Sequence, residues 1–455
     1  MTKPIPAPDR ASAGWGTAAR AVYAVAMALY VIVSLPTLVR KGKLSRGLRE
    51  RLGRPDEALA RALRDGRPTV WIHAVSVGEV ALAFRLGEAL GRLRPDLRRL
   101  YTVTTVTGRE VAERSKKAGD LVCYCPVDLG GSVGRFLEGW RPHALVLLET
   151  EIWPELIRGV RRAGAPVCIV NARLSDKALP GYRKVRRWLA PVLAQVELIC
   201  AQSQEMAARY IGIGARPGAV RVTGNLKYDW APTDPGAEWS ERMTAYRRSD
   251  AYLLLAASTH EGEEQILFEM YGRLKAQYPC FQMAVAPRHP ERLSAVARVA
   301  DRSCGGHTLF SERRPDPGRP LIVDRMGVLG ALYPAADVVF VGGSLVPVGG
   351  HNPIEPASYG KAVLFGPSMV NFKTVAGDFL RAGAAIQVAD AAELEREVLR
   401  LVQDPAARQE MGRRASDLVR AQKGALDRTV ESILAFGAGA RAGVDQPLDK
   451  GRVSR

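Results

Sequence analysis

Ionisable and polar side chains gather behind short apolar runs at several places in this chain. Ser76-Val77-Gly78-Glu79 follows one run, Glu149-Thr150-Glu151 another, Asn171-Ala172-Arg173 a third and Gly224-Asn225-Leu226-Lys227 a fourth. Further on, Ser258-Thr259-His260-Glu261 and Pro287-Arg288-His289 sit in the same way. Carboxylates so placed can take a proton, and an ammonium or guanidinium can balance negative charge. The stretch from Val341 to Pro356 is rich in glycine and proline, which let a backbone come close to something bound beside it. There Asn352 suits an N-cap, Pro353 the first helical position and Glu355 the third, so a short helix is predicted whose free N–H groups attract anions. Pro356 removes a further N–H, so the start can slip two or three residues onward. Ser76 with Glu79, and Asn352 with Glu355, also have the spacing of a capping box, so each glutamate has a structural use beside a chemical one.

Placing these residues requires a sheet. From Thr69 onward, short apolar runs alternate with amphipathic stretches, and the spacing predicts strands over 69–74, 100–106, 121–125, 144–149, 167–171, 198–203 and 220–223. After a break rich in proline and glycine near residues 230–236 the rhythm resumes, with strands over 252–257, 282–286, 321–324, 338–341 and 362–365. That alternation is the α/β pattern of a parallel sheet, and two Rossmann-like halves account for it most simply. In such sheets ligands bind beyond the carboxyl ends of the strands, where the polar motifs fall. The expected division is 1–40 for an N-terminal tail and membrane anchor, 41–228 for a first domain, 229–250 for a linker, 251–436 for a second domain with C-terminal helices, and 437–455 for a tail. Two loop edges facing each other would make a cleft.

The net charge is +18 with an isoelectric point near 9.9, which implies a negatively charged partner: nucleic acid, an anionic membrane or a phosphorylated substrate. A nucleic-acid binder should interleave aromatics with basic residues or carry a known binding module, and neither is present. Of the six cysteines, Cys123 and Cys125 alternate along a predicted strand and the other four are dispersed, with no CxxC, as in a reduced, cytosolic chain. No D-x-D motif occurs and the histidines are scattered, so no catalytic metal and no cofactor is expected. Residues 21–39 carry no charge, a run close to the ~20 residues that span a bilayer, and Arg40-Lys41-Gly42-Lys43 with Arg46, Arg49, Arg51 and Arg54 follow it. The positive-inside rule then keeps the globular chain in the cytoplasm, on an anionic inner membrane. Arg183, Lys184, Arg186 and Arg187, beside Tyr182 and Trp188, form a further basic cluster suited to lipid phosphates.

Taken together, His73 to Glu79, Glu149 to Pro154, Asn171 to Ser175, Gly224 to Lys227, Ala257 to Glu264, Pro287 to Arg292 and Val341 to Pro367 resemble the Kdo transferases of lipopolysaccharide assembly. The resemblance runs from the anchor to about residue 380. It implies a GT-B type fold, two Rossmann-like domains facing across a cleft with an N-terminal membrane helix, and metal-independent, inverting transfer of 3-deoxy-D-manno-octulosonic acid (Kdo) from CMP-Kdo to the lipid A precursor, lipid IVA. On the matching positions it implies Glu79 as the proton acceptor and Glu149 and Lys227 as transition-state stabilisers, Glu151 being the alternative to Glu149. For CMP it implies Pro287, Arg288, Met326, Gly327, Val328, Asn352, Pro353, Ile354 and Glu355. Arg288 can pair with a phosphate bidentately. A first-turn position tends to lower the pKa of Glu79 and keep it ionised. The family usually has a glutamate where Val328 stands, so any side-chain contact of that glutamate is lost here. A related transferase with another nucleotide sugar fits the same fold.

Overall fold

The computed structural model describes Gly16 and residues 20–27, 47–229 and 236–441. The chain divides into two units, the first made of residues up to Asp229 together with those from Gly424 on, the second of Trp230–Lys423.

In the first unit seven strands pair in parallel: β1 (Thr69–Ala74), β2 (Arg98–Val103), β3 (Leu121–Tyr124), β4 (Ala144–Leu148), β5 (Val167–Ala172), β6 (Leu198–Ala201) and β7 (Val220–Val222). Their order is β3-β2-β1-β4-β5-β6-β7. Successive side chains of a strand face opposite ways, and both faces here are apolar. Trp71, Leu145, Leu147 and Ile169 join Phe136 and Trp140 on one face, while Ile72, Val146, Leu148 and Cys168 join Leu86 and Tyr101 on the other. The second core also takes in Ala425, Val430 and Ile433. These belong to the helix Ala425–Arg441, whose start is tied to the first unit by Gly424 N–H to Asp229 Oδ1 (2.6 Å) and Arg428 Nε to Thr223 O (2.9 Å). Residues 424–436, expected in the second domain, therefore return to the first, because their apolar face completes its core.

The second unit repeats the plan with β8 (Tyr252–Thr259), β9 (Phe281–Pro287), β10 (Thr308–Leu309), β11 (Leu321–Ile322), β12 (Val338–Val341), β13 (Ala362–Phe365) and β14 (Ala385–Gln387), all parallel, in the order β10-β11-β9-β8-β12-β13-β14. The edge strands β10 and β14 have two and three residues and gave no periodic signal in the sequence. Of the expected linker, residues 230–235 lie outside the described residues, while Ala237–Tyr246 is a helix that buries Met243 and Tyr246 in the second unit's core.

Residues 28–46, most of the expected anchor, and 442–455, most of the expected tail, lie outside the described residues. Among those described, no helix is long and apolar enough to cross a membrane. Residues 20–27 are helical and held to the first unit by Arg20 Nε–Glu155 Oε1 (2.9 Å) and Tyr23 Oη–H donating to Asp128 Oδ2 (2.6 Å).

Candidate active site

A parallel sheet opens a crevice where its strand order reverses, because the loops on either side leave toward opposite faces. In the first unit that point lies between β1 and β4, and in the second between β8 and β12.

Behind β1, Ser76 caps the helix Val77–Leu93: its Oγ accepts from Glu79 N–H (3.3 Å). The Glu79 carboxylate in turn accepts from Ser76 Oγ–H (2.8 Å) and Val75 N–H (2.9 Å). The capping geometry is thus real, and it aims the carboxylate back at the strand end. Burial raises the Glu79 pKa, the Val75 N–H opposes the rise, and Glu149 adds to it. The expectation of a lowered pKa fails because the side chain is only 9% exposed, and loss of hydration outweighs the helix terminus.

Behind β4, Glu149 has φ 55, a left-handed conformation that few non-glycine residues adopt and that concentrates at functional sites. Its carboxylate lies between Arg173 Nε (3.1 Å) and Lys227 Nζ (3.3 Å). Asn171, at the end of the neighbouring β5 and also left-handed (φ 53), holds the lysine's turn by accepting Leu226 N–H on Oδ1 (3.0 Å). Glu151 turns elsewhere and accepts from the Trp153 indole N–H (2.7 Å). Burial first, and then the charge of Glu79, push its pKa up to about 7. The structure therefore pairs Lys227 with Glu149 and leaves Glu151 beside Glu79. Arg173 belongs to the Asn171-Ala172-Arg173 motif, and its ion pair with Glu149 follows from the adjacency of β4 and β5.

In the second unit Ser258 (φ 58) lies at a register shift near the end of β8. The N–H groups of Gly343 (2.7 Å), Ser344 (2.9 Å) and Leu345 (3.0 Å), in the glycine-rich stretch expected to approach a ligand, all point to the Glu263 carboxylate. Glu263 also accepts from His260 N–H (2.9 Å) and is fully buried. The start of the stretch behind β12 thus wraps a side chain of its own unit. Further along, the short helix is Ile354–Ser358, starting later than expected from an Asn352 cap at the first helical position of Pro353, within the slip that Pro356 allows. Asn352 Oδ1 accepts Ile354 N–H (3.1 Å), and Asn352 Nδ2 and Tyr333 Oη donate to Glu355 (3.3 and 3.4 Å). Burial raises the Glu355 pKa.

Pro287 closes β9 and Arg288 is exposed after it. Their neighbours include a histidine cluster: His260 Nε2 meets His351 Nε2 at 2.8 Å, and His289 stands edge-on to His260 with ring centroids 5.3 Å apart. Burial, then His260, lowers the His351 pKa to about 4. Met326 is exposed, Gly327 is left-handed (φ 80), and Val328 is packed in the core. Among the described residues no group of three or more His, Cys, Asp or Glu side chains could hold a metal ion.

Residues 46–230 match the protein family described as 3-deoxy-D-manno-octulosonic-acid transferase (kdotransferase). The 3-deoxy-D-manno-octulosonic acid transferase of Haemophilus influenzae is 33% identical over 80% of this chain and 86% of its own length, and that of Bordetella pertussis 35% over 80% and 86%. Among solved structures, the S. aureus MnaA–UDP complex superposes with a TM-score of 0.54 at 16% identity, over 84% of this chain and 100% of that one. At that identity the likeness concerns the fold alone, two parallel-sheet α/β domains of the GT-B kind.

Proposed function

We propose that this chain, which belongs to the Kdo transferase family and is a glycosyltransferase, moves Kdo from CMP-Kdo to the lipid A precursor lipid IVA with inversion at the anomeric carbon. The reading rests above all on the convergence of Glu79 with Glu149 and its two cations at the β1/β4 switch point.

In this reading Glu79 takes the proton from the acceptor hydroxyl as that oxygen bonds to the anomeric carbon. The bond from that carbon to the phosphate oxygen breaks, and its electron pair leaves on CMP. Burial favours this use of Glu79, since a carboxylate with a raised pKa is a stronger base. Glu149 stabilises positive charge developing on the sugar, and Lys227 stabilises the negative charge on the departing phosphate. In the second unit Arg288 receives the phosphate, and Pro287, Met326, Gly327, Val328 and Asn352 to Glu355 hold the nucleotide. The apolar run 21–39 anchors the chain to the inner membrane, with the catalytic units on the cytoplasmic side. Arg183, Lys184, Arg186 and Arg187, with half-exposed Trp188 beside them, meet lipid phosphates.

The test is incubation of the purified protein with lipid IVA and either CMP-Kdo or a panel of other nucleotide sugars. Release of CMP with a matching gain of Kdo mass on the lipid is expected from CMP-Kdo alone. Transfer only from a different donor would replace this reading with that of a related transferase.

A further inference from the structure

The first unit's switch point holds three carboxylates, Glu79, Glu149 and Glu151, and both cations that reach them bind the same one. Arg173 and Lys227 lie 3.1 and 3.3 Å from Glu149. Among the described residues no ammonium or guanidinium pairs with Glu79 or Glu151. Glu79 has a backbone N–H and a hydroxyl as donors, and Glu151 has the Trp153 indole N–H. Two largely buried carboxylates with only neutral donors do not both ionise at little cost.

We propose that Glu79 and Glu151 share one proton, and that Glu151 is the positioning residue that holds it, so that the negative charge used for proton abstraction resides on Glu79. This deepens the reading of Glu79 as the base and rests on it. The donors decide where the proton sits. Two hydrogen bonds, one from the backbone, favour ionised Glu79, whereas Glu151 has a single indole N–H. Among the described residues the other titratable groups facing Glu151 supply no positive charge, and Glu149 adds a negative one. Tyr182, Tyr210 and Cys125 have pKa values raised by burial and by the charge of Glu151, and His73, whose ring stands edge-on to Trp153 at 6.1 Å, is kept neutral by burial. As pH rises past about 7 Glu151 ionises, and a second negative charge then lies where an anionic sugar must approach. Activity falls on the alkaline side, through the KM of the donor.

The experiment is the pH profile of kcat/KM for CMP-Kdo in the full-length protein, E151Q and W153F, with Glu carboxyl protonation followed by infrared titration. A carboxamide mimics the protonated acid, so in E151Q the ratio of kcat/KM at pH about 8.5 to that at pH about 6 is expected to rise at least fivefold, with loss of a carboxylic-acid band that titrates near neutrality. W153F removes the donor that favours ionised Glu151, so its alkaline limb moves to higher pH. An unchanged ratio in E151Q and an unmoved limb in W153F overturn the proposal, as does a folded E151Q with no activity at any pH. Full activity in E79Q would instead overturn the base assignment, whatever E151Q does.

Discussion

Three glutamates within one crevice have three different settings. Glu149 is ion-paired on both oxygens, Glu79 is hydrogen-bonded by its own helix start, and Glu151 leans on one indole. A group that stabilises the transition state should act on kcat. Glu149→Gln is therefore expected to lower kcat about 10²–10³-fold with the donor KM little changed, measured in steady state. Since the base must be ionised, kcat/KM should fall as pH drops through the raised pKa of Glu79, at a higher pH than for a carboxylate in water. At this scale the sequence carried much of the site. The capping spacing of Ser76 and Glu79 was legible because a helix start is local. The pairing of Arg173 with Glu149 was not, because residues 24 positions apart meet only once the strand order is known. Glu263 was missed for the same reason: its partners, Gly343 to Leu345, lie some 80 positions downstream.

At the scale of elements, the glycines behind β12 do steric work that the sequence attributed to a ligand. A Cβ on Gly342 would come 2.5 Å from Ser258 O and 2.7 Å from Thr259 Cα, both backbone atoms that do not swing aside. Gly342→Ala is expected to destabilise the second unit by roughly 2–3 kcal/mol in urea unfolding followed by a probe in that unit. The N-terminal segment makes a comparable contribution on the first unit. Tyr23 donates to Asp128, which also accepts Glu155 N–H (3.2 Å) and Leu156 N–H (2.6 Å) and so holds the start of the helix Pro154–Arg162. Tyr23→Phe removes a hydrogen bond to a buried carboxylate, and a loss of about 1–3 kcal/mol from the first unit is expected in the same measurement. Central strands such as β1, β4, β8 and β12 were legible because they are continuous apolar runs buried on both faces. The edge strands β10 and β14 were not, whereas the equally short edge strand β7 was.

Over the whole molecule each unit is a seven-stranded parallel sheet with a reversal of strand order, and the polar motifs follow the carboxyl ends of its strands. Composition could indicate an anionic partner but not its chemistry, and the membership of a family of sugar transferases narrows it. The return of Ala425–Arg441 to the first unit escaped the sequence because an amphipathic helix does not declare which core its apolar stripe completes. In the proposed reaction one proton leaves the acceptor for Glu79. The most direct measurement is therefore single-turnover transfer of Kdo from CMP-Kdo to lipid IVA by Glu79→Gln beside the unaltered protein, with CMP affinity of both determined by calorimetry. A fall in the rate of at least about a hundredfold with CMP affinity unchanged is predicted, and transfer by the variant at the unaltered rate would contradict it.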